Sequence, residues 1–375
     1  MRAAGVAFAV AAAALALTAS AASGPPDEPP VLSVPAYVHV FAADGSRVAF
    51  SFGVKARGDV CEGAAVWEGS AGAPRPLPLA PGREVCAGDW AGTETLEVAV
   101  AGPRVTWLAH GATLSSSELD LYTARLGSRR ARLVMRGNGD TFSGDNVEYV
   151  DRRLGLLAGD EADTVFLSWT VGVGGKSVRD ERLWRINSAG ALRPLGRVRG
   201  ARSLTLERGT AAVLATGGKV TFVPVNGGER RALLLPGLAT RMLDRRDFDL
   251  RLSDGRLVVL TESSVDVYDA SSGEQLASWP IGVAEPSTRG VLDVEGDYAS
   301  FLVFNGIHVL RLSDGLDAAV PVMRIHPPGC EQSDVWAQLE PVGLVYSQSR
   351  LDAEGCRQSR LGTVSFAELD GLLRP

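Results

Sequence analysis

One short structural unit recurs seven times along this sequence, and it limits the fold more than any other feature. Each copy has an alternating strand, a tight turn rich in Gly and Asp, a strongly apolar strand and a third strand that ends in a polar turn. The turns lead into second strands at Arg47, Arg104, Thr164, Thr210, Arg256, Asp297 and Gly343, so the unit repeats every 41 to 60 residues. Four short strands at this period are typical of one blade of a β-propeller.

We therefore predict an all-β fold, a seven-bladed β-propeller of four-stranded blades. The second strand of each unit is apolar on both faces, as expected for a strand packed between neighbouring blades. Fourth strands are predicted at Leu192–Leu195, Ala232–Leu235 and Val320–Met323. The last unit lacks a convincing fourth strand, so we expect Val31–Val34 to supply it, which closes the ring and removes two exposed sheet edges.

Other structures fit parts of the same pattern. Six or eight blades, or a different strand register, would use the same segments, and a pair of all-β sandwiches also has evenly spaced strands. Residues 116–132 fit a helix as well as a strand, and residues 366–373 fit a short helix.

A family resemblance rests on Asp44–Ser51, whose letters are DGSRVAFS. This segment resembles the WD40-like repeat of TolB-type propellers, with its D-G-x-x-[IV]-A-F-[ST] core, and the later turns at Gly190, Gly228, Gly273 and Gly315 fit the second half of that repeat. The resemblance implies the fold over most of the chain, and it does not carry a function. A narrower resemblance, to a quinoprotein-type propeller repeat, is confined to Val267–Trp279.

The first 30 residues predict export. Arg2, an apolar run from Val6 to Leu17 and small residues up to Ala22 follow the order of a secretory signal peptide, with cleavage expected near Ala21 or Ala22. The run is shorter than the roughly 20 residues that span a bilayer. We predict a signal peptide at residues 1–22, a Pro-rich tether at 23–30 and a single propeller domain at 31–375.

The amino-acid composition limits which organism, cell compartment and class of partner we expect. Of the 38 basic residues only three are lysines, a bias typical of a GC-rich bacterial genome. A formal charge of −6 with mixed signs disfavours nucleic acid as a partner. We expect a monomer in the cell envelope or outside the cell, with no membrane span after signal cleavage, that binds a protein or an envelope ligand.

Four cysteines in an exported chain indicate disulfides. Cys61 and Cys356 are predicted in loops before the third strands of blades 1 and 7, and Cys86 and Cys330 lie in connections between blades. Propeller topology places these loops on one face. Of the three pairings, we predict Cys61–Cys86 and Cys330–Cys356. The absence of a C-x-x-C pair argues against zinc.

Candidate binding residues fall on the same face. Two Gly-rich loops have similar sequences, one with Asp89 and Trp90 and the other with Asp140, Phe142 and Asp145. Their oxygens could hold Ca²⁺, but Asx-type turns explain them more simply, so we expect no metal or other cofactor. His110 and His326 could reach this face.

The chain contains no nucleophile, metal or phosphate-loop motif of the usual enzyme classes. We therefore predict a non-catalytic binding module that uses its disulfide-braced loop face. The alternative is a carbohydrate-active or quinone-dependent propeller enzyme with its site at the channel mouth.

Overall fold

The architecture is described from a computed structural model. It covers residues 32–34, 38, 40–45, 47–56, 59–68, 73–77, 92–112, 117–138, 151–171, 178–239, 249–282, 292–303, 306–321, 332–351 and 357–374. These residues form seven four-stranded antiparallel sheets, arranged as the blades of a propeller. The predicted fold class and the predicted number of blades are therefore confirmed.

Blades 1 to 3 are formed by the twelve strands β2 to β13, because β1 belongs to blade 7. Blade 1 consists of β2 (Phe41–Asp44), β3 (Arg47–Ala56), β4 (Asp59–Trp67) and β5 (Arg75–Pro76). Blade 2 consists of β6 (Gly92–Ala101), β7 (Arg104–Ala112), β8 (Ser117–Arg125) and β9 (Arg132–Asn138). Blade 3 consists of β10 (Asp151–Asp160), β11 (Asp163–Val171), β12 (Val178–Ile186) and β13 (Leu192–Arg197).

The remaining blades follow in chain order. Blade 4 consists of β14 (Ala201–Glu207), β15 (Thr210–Ala215), β16 (Lys219–Pro224) and β17 (Arg231–Leu234), followed by the short helix α1 (Pro236–Ala239). Blade 5 consists of β18 (Asp249–Ser253), β19 (Arg256–Leu260), β20 (Ser264–Asp269) and β21 (Gln275–Pro280). Blade 6 consists of β22 (Asp293–Glu295), β23 (Tyr298–Val303), β24 (Gly306–Arg311) and β25 (Asp317–Ala319). Blade 7 consists of β26 (Gln332–Glu340), β27 (Gly343–Leu351), β28 (Arg357–Val364) and β1 (Leu32–Val34), and the chain ends with helix α2 (Phe366–Leu372).

The N-terminal strand closes the ring, as predicted from Val31–Val34. β1 pairs antiparallel with β28, with Leu32 opposite Leu361 and Val34 opposite Ser359. Next along the chain, the buried Val38 donates its amide to the hydroxyls of Ser349 (3.0 Å) and Ser359 (3.1 Å), and its carbonyl accepts from Ser349 (2.7 Å). Blade 7 therefore holds the N-terminal segment by strand pairing and by these side-chain contacts.

Of the two structures that the sequence allows for residues 116–132, the strand is confirmed: residues 117–125 form β8, which pairs with strands on both sides and alternates its side chains between two neighbouring blades. Two other sequence-based expectations need correction. The fourth strand of blade 6 lies at Asp317–Ala319 rather than at Val320–Met323, since Pro321 has no amide to continue the ladder. Cys61 lies within β4, opposite Val54, rather than in a loop.

The core lies between the blades. Middle strands are buried on both faces, as in β15, where Ala211, Ala212 and Leu214 are fully buried. Buried side chains of adjacent sheets form shared clusters: Leu108 and Leu121 of blade 2 pack with Leu154 and Phe166 of blade 3. The apolar second strands therefore stabilise the ring by packing blade against blade.

Hydrogen bonds also join the inner strands that surround the central axis. At each of the seven joints, a carboxylate of one blade's inner strand accepts a hydrogen bond from a backbone amide in the next blade. The pairs are Asp44 with Gly102, Glu97 with Leu157, Asp160 with Gly209, Glu207 with Asp254, Asp249 with Leu292, Asp293 with Leu339, and Glu340 with Gly45. Most inner-strand acids are therefore structural, because a charged acceptor makes a strong hydrogen bond to an amide.

Candidate binding surface

The two ends of the propeller differ in shape. We call the end with the turns between first and second strands the turn face, and the opposite end the loop face. The middle strands of blades 7, 1, 2 and 3 have 9, 10, 9 and 9 residues, whereas those of blades 4, 5 and 6 have 6, 5 and 6. All of them start at the turn face, so the extra three to five residues, about 10–17 Å of strand, project at the loop face.

We call this projecting side of the loop face, formed by β27–β28, β3–β4, β7–β8 and β11–β12, the raised arc. Their third strands follow the same pattern, with eight or nine residues against six in each of blades 4 to 6. In blade 1, β3 continues for six residues beyond Phe50, the last residue that pairs with the inner strand β2. In blade 1 the raised arc is therefore a two-stranded hairpin. In blades 7, 2 and 3 it also includes the inner strands β26, β6 and β10, which have nine or ten residues and pair with the middle strand along its whole length.

From their positions in the chain, we predict that the cysteines lie on the same side of the loop face as the raised arc. The backbone of Cys61 lies in β4, on the raised arc of blade 1. The side chain of Cys61, and all of Cys86, Cys330 and Cys356, lie outside the described residues. The two disulfides therefore stay predictions.

Most of the predicted binding residues also lie outside the described part of the chain, namely Asp89, Trp90, Asp140, Phe142, Asp145 and His326. His110 is the one that the structure describes. It lies in β7 opposite Leu119, two residues from the buried Leu108, so its partly buried side chain is on the face of blade 2 that packs against blade 3.

The sequence analysis did not identify four arginines that lie on the face of blade 3 directed at blade 2. Arg152 and Arg179 both lie opposite Thr170, one on each side of β11. Arg182 lies opposite Ser168 and opposite Arg197. Since directly opposed residues share a sheet face, and Thr170 and Ser168 are two residues apart, all four side chains are on the face directed at blade 2. We call this set the arginine face.

These arginines are largely exposed. The side chains of Arg182 and Arg197 are 44% and 71% exposed, and Arg152 and Arg179 are also exposed. Asp180 lies beside them and contacts Arg197 at 2.9 Å and Arg182 at 4.0 Å. Asp180 has a left-handed backbone conformation (φ 52°) at the bulge in β12, which separates Arg179 and Arg182 by three positions while keeping both on one face.

The backbone of β9 lies very close to the start of β10, next to the arginine face. A Cβ atom added to Gly137 of β9 would lie 2.7 Å from the carbonyl oxygen of Arg152 and 3.1 Å from the Leu154 side chain. Only glycine therefore allows the outer strand of blade 2 to pack directly against the inner strand of blade 3 at this height.

The sequence carried only a weak signal for this surface. Arginine is common throughout the chain, and the spacing of Arg152, Arg179, Arg182 and Arg197 follows no motif. Their common face depends on a register that includes a bulge between Ser168 and Thr170, which the sequence pattern did not reveal.

The inner rim of the turn face has the opposite charge. Asp44, Asp160, Glu207, Glu295 and Glu340 end their inner strands there. Burial, together with the nearby carboxylates of Asp293, Asp44 and Glu295, raises the pKa of Glu340 to about 8. Among the described residues, no group of three or more His, Cys, Asp or Glu side chains is arranged to hold a metal ion.

No protein-family model and no curated protein matches the sequence. Solved structures are similar in fold. The β-propeller domain of the Trilobed protease from Pyrococcus furiosus, described by its open velcro topology, has a TM-score of 0.52 and 9% identity over 87% of this chain and 93% of that chain. YCF48 bound to D1 peptide has a TM-score of 0.47 and 10% identity over 90% and 98% of the two chains. BamB from Moraxella catarrhalis has a TM-score of 0.41 and 12% identity over 91% and 92%.

At such low identity these similarities show the fold alone. The pairing of β1 with β28 gives the present chain a closed ring, in contrast to the open topology named for the protease domain. Within the described part of the chain, no helix is long and apolar enough to cross a membrane.

Proposed function

We propose that this chain is an exported, non-catalytic binding module that recognises another macromolecule through the raised arc of its loop face. The observation that carries the proposal is the step in strand length between blades 7, 1, 2 and 3 and blades 4, 5 and 6. A ring needs seven similar wedges to close, and blades 4, 5 and 6 form such wedges with middle strands of five or six residues, so the extra length in blades 7, 1, 2 and 3 is not needed for that closure. Rigid projections on a stable scaffold suit recognition.

The export signal, the tether and the disulfides belong to the same proposal. Residues 1–22 direct export, residues 23–30 separate the domain from the cleavage site, and residues 31–375 form the propeller. Disulfides Cys61–Cys86 and Cys330–Cys356 would brace the loops of blades 1 and 7, each stabilising the fold by about 2–4 kcal/mol. The module binds without a cofactor.

Site-specific photocrosslinking in the native host tests this function. A benzoylphenylalanine at Val178, which is 48% exposed at the tip of β12, reports on the raised arc. The same group at Ala189, exposed in the turn between β12 and β13, is the matched control on the turn face of the same blade. We expect one defined crosslinked species from position 178 and none from 189. Crosslinks only from 189, or none from either position, would overturn the proposal.

A further inference from the structure

We infer that the arginine face of blade 3 binds the carboxylates of an extended acidic polypeptide segment. This inference deepens the proposed function and rests on it, because Arg179 and Arg182 lie in β12 of the raised arc, and Arg152 of β10 and Arg197 of β13 flank that hairpin. It names the chemistry of the partner where the proposed function names only the surface.

The first argument is the local balance of charge. Four guanidinium groups, which stay charged at any physiological pH, share one sheet face, and Asp180 is the one carboxylate that contacts them among the residues that the structure describes. Asp180 contacts Arg182 and Arg197. Within the described ranges, the side chains of Arg152 and Arg179 have no ion-pair or hydrogen-bond partner, so two exposed cations are available to a ligand.

The second argument is spacing. The arginines form two rows, one level with Thr170 and the other level with Ser168. Two residues of a β-strand span about 7 Å, which is also the distance between same-face side chains of an extended peptide. An extended segment with acidic residues at alternate positions can therefore place one carboxylate on each row, and arginine binds a carboxylate through two parallel hydrogen bonds.

The third argument concerns specificity. The whole chain has a formal charge of −6, and the described inner rim of the turn face is acidic. A short acidic segment contacts only the arginine face, whereas a long polyanion would also run over surfaces that repel it. Charge complementarity of this kind directs a ligand to one site and disfavours others. A peptide therefore fits this surface better than a phosphate polymer does.

Fluorescence anisotropy with the mature chain tests the inference. The probe is a fluorescein-labelled octapeptide of four Glu-Thr repeats, and its neutral counterpart has four Gln-Thr repeats. The test variant is Arg152→Ala/Arg179→Ala. The control is Arg129→Ala/Arg193→Ala, which removes the same charge from two exposed positions nearer the turn face of blades 2 and 3. Circular dichroism verifies that both variants are folded.

We expect the acidic peptide to bind the parent chain and the control alike, and the test variant at least about ten-fold more weakly, a typical loss for charge-assisted hydrogen bonds. Equal binding of the neutral peptide, or an equal loss in the control, would overturn the inference. Tighter binding of polyphosphate at matched charge would overturn the choice of a peptide. A crosslink from position 178 without peptide binding refutes only this inference, whereas peptide binding without any crosslink refutes the proposed function.

Discussion

Arg208 of blade 4 and Asp254 of blade 5 form an ion pair of 2.8 Å across the turn face, and both residues have left-handed backbone conformations. Their φ angles are 43° and 48°, and a glycine with positive φ follows each of them. Both turns therefore have positive φ at the two central positions, as in the type I′ turns of β-hairpins. Asp tolerates this conformation better than Arg does.

Replacing Arg208 tests whether the ion pair or the backbone conformation has the larger effect on stability. Asn favours the left-handed region, and an exposed ion pair contributes little to stability. We therefore expect Arg208→Asn to raise the melting temperature slightly in a calorimetric scan. Arg208→Ala removes the same ion pair and keeps the strain, so it should lower the melting temperature. A fall with both variants would show that the ion pair matters more than the turn.

The stability of the ring should depend on Glu340 at neutral and mildly alkaline pH. The pKa of Glu340 is about 8 in the folded chain and near 4.5 in an unfolded one, so the folded state holds the proton more tightly. Stability is then fully present below about pH 4.5 and is lost as the pH rises through 8. For a largely buried group the loss amounts to a few kcal/mol.

Glu340→Gln should remove this pH dependence while keeping an acceptor for the Gly45 amide. Urea unfolding of both proteins at pH 5, 7 and 9 measures the difference. Relative to the variant, the parent should lose stability from pH 5 to pH 9. Parallel curves for the two proteins would contradict the raised pKa.

Two serines of β27 provide a matched test of ring closure. Ser347 and Ser349 are both fully buried, but Ser349 bonds the backbone of Val38. The Ser347 hydroxyl has no hydrogen-bond partner among the described residues. Ser349→Ala should lower the free energy of unfolding by about 1–3 kcal/mol, because it removes the hydroxyl that donates to the buried Val38 carbonyl and leaves the Val38 amide with Ser359 alone. Ser347→Ala should be neutral or stabilising, and equal losses would show that burial rather than closure is responsible.

Gly137 should be intolerant of any side chain. An added Cβ lies 2.7 Å from the Arg152 carbonyl, so Gly137→Ala must displace β9 or β10. We expect a loss of about 1–3 kcal/mol in chemical denaturation, as for other overpacking substitutions. Gly371→Ala is the control, since no atom lies within 4 Å of its added Cβ and it lies in helix α2. That change should stabilise the chain by about 0.5–1 kcal/mol.

The predicted disulfides can be checked directly. Peptide mapping of the exported protein without reduction should join Cys61 to Cys86 and Cys330 to Cys356. Reduction should then lower the free energy of unfolding by about 2–4 kcal/mol for each bond. Free thiols, or a link between blades 1 and 7, would refute the pairing.

The sequence pattern predicted the architecture closely because turns and alternation are local. The seven residues that end the predicted turns, from Arg47 to Gly343, all lie within one residue of the observed starts of the second strands. The closing strand and helix α2 were also predicted within a residue at their described ends. These features depend on residues that are neighbours in the chain.

Features that depend on distant partners were not predictable in this way. The Asp44 carboxylate bonds an amide 58 positions away, and neither residue type reveals the other. The arginine face requires the register of three strands and a bulge. The extent of the β3–β4 pairing was also underestimated, which placed Cys61 in a loop, because the length of a paired strand depends on its partner.

The carboxylate-to-amide bonds between inner strands all run in one direction around the ring, from each blade to its successor, and the Glu340–Gly45 bond completes the circuit between blades 7 and 1. Each wedge thus receives its position from its predecessor by the same chemistry at all seven joints. The starting point of synthesis is consequently arbitrary for the finished ring, and a circular permutant that opens between any two blades and joins the old termini would retain every one of these bonds.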